Sequence, residues 1–303
     1  MRTLAIAMLF LCVILSVVLL VLGYRDIEED TEQSTAIISR TIPAVEVPLS
    51  AFPVPSGHSV GAKEGAVIDY SNVEDGYIMV RYSAPTDRAL RVMITPPGSN
   101  EYTYHLNNDN EFETFPLTEG SGEYRITVLR QYVGRLYSEV YELTLNVDLA
   151  DEHAPFLRSN KFVNFEPDSL FIDTAVNLGV YDNDYETIEA IHDFIVDNMT
   201  YDRTYEGFAV AGYVPCLNRT YTELTGACFD YAAFMVAILR VHEIPSRLVF
   251  GYFLDEYHAW VEAYTETSGW IRKDPSTISS GNWSRIDLMY VSNDLNYIPM
   301  YYY

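Results

Sequence analysis

The sequence predicts an α+β protein: a buried helix packed on an antiparallel sheet, preceded by a small all-β domain and an N-terminal membrane helix. Three observations carry this. Short alternating segments separated by turn signals fill residues 61–150. Beyond about residue 165 the apolar spacing changes to three and four, and a nearly all-apolar helical run is followed by three strand-like runs. An apolar stretch occupies residues 4–22, broken only by Ser16. The boundaries read from these changes are 1–25 for a signal anchor or signal peptide, 26–60 for a linker, 61–150 for a β-sandwich and 151–303 for the mixed domain.

The N-terminal run is close to the ~20 residues that cross a bilayer as a helix. Arg2 precedes it, and Asp26, Glu28, Glu29 and Asp30 follow. That asymmetry keeps the N-terminus cytoplasmic and exports the rest. The expected location is therefore membrane-anchored with the C-terminal part extracytoplasmic, or secreted if the segment is cut after Gly23. Cys12 reads as part of the apolar helix, because Leu11 before it is too large for a lipidation site. Residues 26–60 read as linker, with prolines at 43, 48, 53 and 55.

In the β region, Tyr77–Tyr82, Leu90–Ile94, Tyr124–Val128 and Val140–Val147 are strand candidates. Five to seven strands are expected, arranged as a small antiparallel sandwich. The stretch Gly122–Ile126 looks like the start of a late strand in an immunoglobulin-like fold, and any small β domain fits it equally. The 25 tyrosines agree with abundant strand and half-wet surface.

In the mixed region, Ile188, Ile191, Ile195 and Met199 define an amphipathic helix with Asp184 as its capping residue. A second helix runs from near Gly226 to about His242 and is apolar nearly all round, hence central. Strands follow at 247–253, 258–264 and 270–273.

The net charge of −24, from 43 acidic and 19 basic side chains, repels a polyanion and excludes nucleic acid as a natural partner. Three cysteines, Cys12, Cys216 and Cys228, are too few for a disulfide scaffold or a paired Cys-x-x-Cys zinc site.

Three residues carry the candidate chemistry. Cys228 sits at the start of the buried helix, where free N–H groups and the helix dipole favour an anion, and the thiolate is the nucleophilic form of cysteine. Gly226 beside it leaves room for a substrate. His258 opens a strand that places His258, Trp260 and Glu262 on one face, so it can serve as the base. Asp274 ends the next strand, where it can orient the imidazole. Each residue alone has a bland alternative: a core cysteine, a surface histidine, a turn-forming aspartate before Pro275. Arg247 is expected either to pair with an acid beneath the site or to lie on the surface. His105 and His242 read as surface residues.

Taken together, Gly226-Ala227-Cys228-Phe229-Asp230-Tyr231, Ile244-Pro245-Ser246-Arg247, Gly251-Tyr252, His258 to Glu262, Gly269-Trp270 and Asp274-Pro275 resemble the transglutaminase-like superfamily. The resemblance covers about residues 184–280. Ser276 stands where the family more often has threonine. The resemblance implies a papain-like transglutaminase core with a Cys228-His258-Asp274 triad, an acyl-enzyme intermediate and no cofactor. It implies a protein or peptide substrate, with cell-wall peptide as one candidate, for a thiol-dependent acyltransferase or amide hydrolase. The alternative is an inactive member used for binding or adhesion. Trp260, Tyr201, Tyr231 and Cys216 are the candidate pocket residues. Cys216 and Cys228, 12 positions apart, are expected to be free, with a silencing disulfide as the alternative.

Overall fold

A computed structural model of the chain describes residues 46–98, 100–178, 181, 183–205, 212–253, 256–276 and 297–303. The expected anchor at 4–22 lies outside these residues. Among the described residues no helix is long and apolar enough to cross a membrane.

The β region contains β1 (Val60–Lys63), β2 (Ala66–Asp69), β3 (Tyr77–Tyr82), β4 (Leu90–Thr95), β5 (Tyr102–Leu106), β6 (Glu113–Pro116), β7 (Gly122–Val133) and β8 (Leu136–Val147). They form two four-stranded antiparallel sheets, ordered β1-β2-β3-β6 and β5-β4-β7-β8. Eight strands exceed the five to seven expected, because β1, β2 and β6 are only four residues long and carry too little alternation to be read. In β4 and β5 every second residue is buried. Val92 stands opposite Tyr104 on one side and Val128 on the other, so its buried side chain meets apolar partners in both strands. Each such valine or isoleucine contributes roughly 1.5–3 kcal/mol by leaving water. Near the start of β7, the Tyr124 hydroxyl donates to the Gly120 carbonyl at 2.9 Å and accepts from the Glu119 N–H at 3.0 Å, which pins the turn before the strand.

The linker reading needs correction at its C-terminal end. Leu49–Ala51 form one short 3-10 turn, Ala51 is buried, and Phe52 packs edge-on against Phe165 at 5.7 Å. The Ser159 N–H donates to the Ala51 carbonyl at 2.8 Å. The proline spacing hid a segment that contributes to the core.

The mixed region contains α1 (Ile172–Asn177), α2 (Asp184–Asn198), β9 (Thr200–Tyr201), α3 (Leu217–Glu223), β10 (Thr225–Gly226) and α4 (Cys228–Val241). Its main sheet comprises β11 (Ser246–Phe253), β12 (Glu256–Thr265), β13 (Gly269–Lys273) and β14 (Tyr297–Tyr302), in the order β13-β12-β11-β14. The cap of α2 is Asn183, not Asp184: the Asn183 side chain accepts from the Glu186 N–H at 2.9 Å. Asp184 is the first helical residue, where its charge suits the dipole.

Helix α4 is buried along its length and packs on β12 and β11. Ala259 and Ala263 on β12 are small enough to admit it closely. At its far end Arg240 is fully buried and satisfied by main-chain oxygens: Ser246 at 2.8 and 3.1 Å, Tyr303 at 2.9 Å, and Arg158. Burial lowers this guanidinium to about 9. One side chain thus joins α4 to β11, to the end of β14 and to the segment after the β sheets. His242 is not a surface residue. It is half-buried, and its Nε2 lies 2.8 Å from the Ala175 carbonyl of α1.

The two regions meet along β14. Thr118 Oγ1 donates to the Tyr302 carbonyl at 3.0 Å, Asn100 Nδ2 to the Met300 carbonyl at 3.2 Å, and the Tyr302 N–H to the Tyr102 hydroxyl at 3.3 Å. Tyr102 lies edge-on to Tyr301 and Tyr303 at 5.3 and 5.4 Å, and Phe162 to Tyr303 at 4.7 Å. Part of the tyrosine load is therefore spent on this junction. Each ring buries an apolar body and brings a hydroxyl to a polar edge.

Candidate active site

Cys228 is the first residue of α4. The chain is fixed immediately before it. Leu224 ends α3 in the left-handed conformation, with φ 50°. The two-residue strands β9 and β10 then pair in parallel, with the Asp202 N–H on the Gly226 carbonyl at 2.9 Å. Asp230, one turn into α4, reaches back to the Ala227 N–H at 3.0 Å and caps the helix. Its other oxygen meets the Tyr213 hydroxyl and Arg219 Nη2, the latter at 3.3 Å. Burial pushes the Asp230 carboxyl up, and the contacts with Tyr213, Ala227 and Arg219 act against that shift. Tyr213 and Arg219 were not singled out in the sequence. They lie in a segment with no motif of its own, and only the fold brings them under the cysteine.

The expected role of Gly226 needs correction. A Cβ at this position would stand 2.4 Å from Asp230 Cβ and 2.8 Å from its Cγ. Glycine is needed so that the capping carboxylate can fold back under the turn. Its place is filled by protein, and Gly226 is buried.

His258 comes from β12 and Asp274 from the end of β13. Continued by one residue, the antiparallel register Val261↔Lys273 sets Asp274 opposite Trp260, on the face that His258 shares and two residues from it. His258 Nε2 lies 2.8 Å from Asp274 Oδ2, and the other Asp274 oxygen accepts from the Ser276 hydroxyl at 3.0 Å. Serine therefore supplies the same hydroxyl that a threonine would, and the departure at 276 is chemically conservative. The Cys228 side chain is within hydrogen-bonding reach of the imidazole. With Nε2 turned to Asp274, the ring nitrogen left for the sulfur is Nδ1. The largest influence on His258 is burial, which lowers its pKa. The charge and hydrogen bond of Asp274, together with Cys228, outweigh burial and hold the imidazole well above its ordinary value. A carboxylate-oriented imidazolium beside a sulfur is the arrangement that stabilises a thiolate and can deliver a proton.

The other expected site residues divide. Trp260 is fully buried, packed with Val249 and Phe253, and its ring lies nearly parallel to that of His258 at 6.5 Å. It does not wall an open pocket; Gly251 lets its ring pack flat, since a Cβ there would come within 2.7 Å of it. Tyr231 is also fully buried, against Tyr201 at 6.0 Å, and is core rather than pocket. Tyr201 is partly buried in β9 beside Gly226. Cys216 is exposed at the N-terminal end of α3, and both Cys216 and Cys228 are free thiols. Arg247 does pair with an acid: two of its nitrogens lie 2.9 and 2.6 Å from Glu262, and its guanidinium stacks over Trp270 and Tyr302 at 4.1 and 4.0 Å.

Among solved structures, a candidate cysteine protease from Cytophaga hutchinsonii is 20% identical, covering 75% of this chain and 76% of that one with a TM-score of 0.40. The periplasmic domain of TgpA from Pseudomonas aeruginosa is 15% identical, covering 75% and 96% with a TM-score of 0.36. The chain is 27% identical over 199 residues to YebA of Bacillus subtilis strain 168, a protein described as uncharacterized. That match covers 56% of this chain and 26% of YebA, so the chain spans about a quarter of its relative's length. The family model of the transglutaminase-like superfamily matches residues 173–275, the interval that holds Cys228, His258 and Asp274. Over that interval the chain is similar to the transglutaminase-like superfamily.

Proposed function

We propose that the protein is an exported, thiol-dependent amide hydrolase or acyltransferase that acts on protein or peptide amides through an acyl-enzyme on Cys228. The observation that carries this is the placement of His258 between Asp274, at 2.8 Å, and the Cys228 side chain. The Cys228 thiolate attacks the carbonyl carbon, and the carbonyl π electrons move to oxygen. The main-chain N–H of Cys228, in the first helical turn, has no intrahelical acceptor and can hold that oxyanion. The oxyanion collapses, the C–N bond breaks, and His258 gives its proton to the departing amine. This leaves a thioester and a neutral imidazole. Water or an amine then attacks the thioester while His258 takes its proton, and the thiolate leaves. Asp274 stays ionised throughout and keeps the ring in register.

Export follows from the apolar 4–22 run and its charge asymmetry, and it puts peptide amides outside the cytoplasm within reach. The β domain reads as an immunoglobulin-like spacer, on the hydroxyl of Tyr124 returning to the turn at Gly120.

The test is a substrate profile with and without a primary amine. Release of ammonia or a peptide fragment with water incorporated identifies a hydrolase, and incorporation of the amine identifies a transferase. Absence of both, with Cys228 alkylated by iodoacetamide no faster than a free model thiol, sinks the catalytic reading and leaves a binding module.

A further inference from the structure

Next to the candidate site, an apolar row runs across three strands of the main sheet. Tyr257 on β12 stands opposite Tyr252 on β11, and Tyr252 stands opposite Ile298 on β14. All three remain in contact with water: 49%, 41% and 58% exposed. Cross-strand neighbours share a face, so they form one continuous patch. The Tyr252 and Tyr257 rings meet edge-to-face at 5.6 Å. Beneath them, Phe250 lies parallel to Tyr257 at 6.0 Å and edge-on to Phe229 at 4.8 Å. Phe229 directly follows Cys228, and Cys228 lies near enough to Tyr257 to act on its hydroxyl. The ring contacts therefore lead unbroken from the nucleophile's neighbour to an exposed aromatic row.

We propose that Tyr257, Tyr252 and Ile298, floored by Phe250, form the subsite that takes an aromatic side chain of the acyl donor beside the carbonyl attacked by Cys228. This rests on the reading of Cys228 as the nucleophile. Two rings inclined at 72° present one face and one edge, the arrangement that receives a third ring. The chemistry also argues against a carboxylate side chain here. A glutamate placed over these rings would lose water and face their negative π surfaces. Among the described residues the row stays open to water, whereas Phe250, Phe253 and Trp260 of the same sheet are buried.

The experiment uses peptidyl chloromethyl ketones with Phe, Ala, Lys or Glu next to the reactive carbon, applied to the full chain. Alkylation of Cys228 is followed by mass spectrometry of its peptide. Iodoacetamide, which needs no subsite, is run in parallel. The expected result is that the Phe probe reacts at least about tenfold faster than the Ala probe, the scale of one aromatic contact with its buried area. The Glu probe is expected to be no faster than Ala, and the Lys probe slower than Phe. In Tyr252→Ala, and separately in Ile298→Lys, the Phe-over-Ala ratio falls at least about threefold, whatever happens to absolute rates, so a partly folded variant does not mimic the result. Fast iodoacetamide labelling with a Phe-over-Ala ratio near one overturns the subsite and leaves the nucleophile standing. Slow labelling by every reagent overturns both.

Discussion

Replacing Asp274 with asparagine tests the link between fold and chemistry most directly. The change keeps the side chain's size and removes its charge. The carboxylate oxygen lies 2.8 Å from His258 Nε2, and both groups are largely shielded from solvent, with side-chain exposures of 14% and 5%. With charge centres about 4 Å apart and an effective dielectric of about 20, the attraction to an imidazolium is about 4 kcal/mol. The asparagine dipole recovers part of that. The expected loss in Cys228 alkylation by iodoacetamide at pH 7 is therefore on the order of 10²–10³-fold. The pH profile carries the sharper signature. In the native protein Asp274 and Cys228 raise His258 against the opposing effect of burial. The His258 imidazolium persists above the ordinary histidine range, and its loss marks a step in the labelling profile there. In Asp274→Asn burial acts with less opposition, and that step moves to lower pH. Labelling should be followed on the Cys228 peptide, because Cys216 is exposed and also reacts. A folded variant that labels within threefold of the native rate, with an unmoved pH profile, would refute the assignment of Asp274.

Three further outcomes follow from the same geometry. His258 has a raised folded-state pKa, so its protonation stabilises the fold fully below the unfolded value of about 6.5, and that stability is lost as pH rises through the folded value. Urea midpoints measured between pH 6 and 9 should therefore fall, and the slope should shrink in His258→Ala. Gly226→Ala forces a Cβ to 2.4 Å from Asp230 Cβ, so denaturant unfolding should show roughly 1–3 kcal/mol of destabilisation with slower Cys228 labelling. Arg240→Met leaves the main-chain oxygens of Ser246, Tyr303 and Arg158 without their buried donor. A stability loss of roughly 3–5 kcal/mol is expected in thermal or denaturant unfolding.

How much of this was legible in the sequence depended on whether a signal was local. The buried helix and the three strands after it were readable because each is a local run: 14 residues apolar nearly all round, then strands of eight, ten and five residues. The His258–Asp274 pairing was readable because a short hairpin between adjacent strands fixes it. Strands β1, β2 and β6 were not, since four residues give two turns of alternation and no more. Strand β14 was also missed. Its sequence, Tyr297-Ile298-Pro299-Met300-Tyr301-Tyr302, is rich in strand formers, yet Pro299 argues against a central strand. The fold accommodates it at the end of the sheet order, where the ladder to β11 shifts register between Phe250 and Gly251, at the level of the proline.

Non-local contacts decided the remaining differences, and these bear on function. Gly226 looked like space for a substrate because a small residue beside a nucleophile commonly is. The structure gives that space to Asp230, whose carboxylate is joined to Arg219 and Tyr213 from a different segment. Trp260 and Tyr231 looked like pocket walls because they neighbour triad residues in the chain. Strand alternation and helical pitch turn both inward, while Tyr257, one residue from His258, stays half-exposed. Proximity in sequence to a catalytic residue is therefore weak evidence of contact with substrate. The direction of the side chain from its strand or helix decides it, and a local pattern fixes that direction only where the neighbouring element is also known.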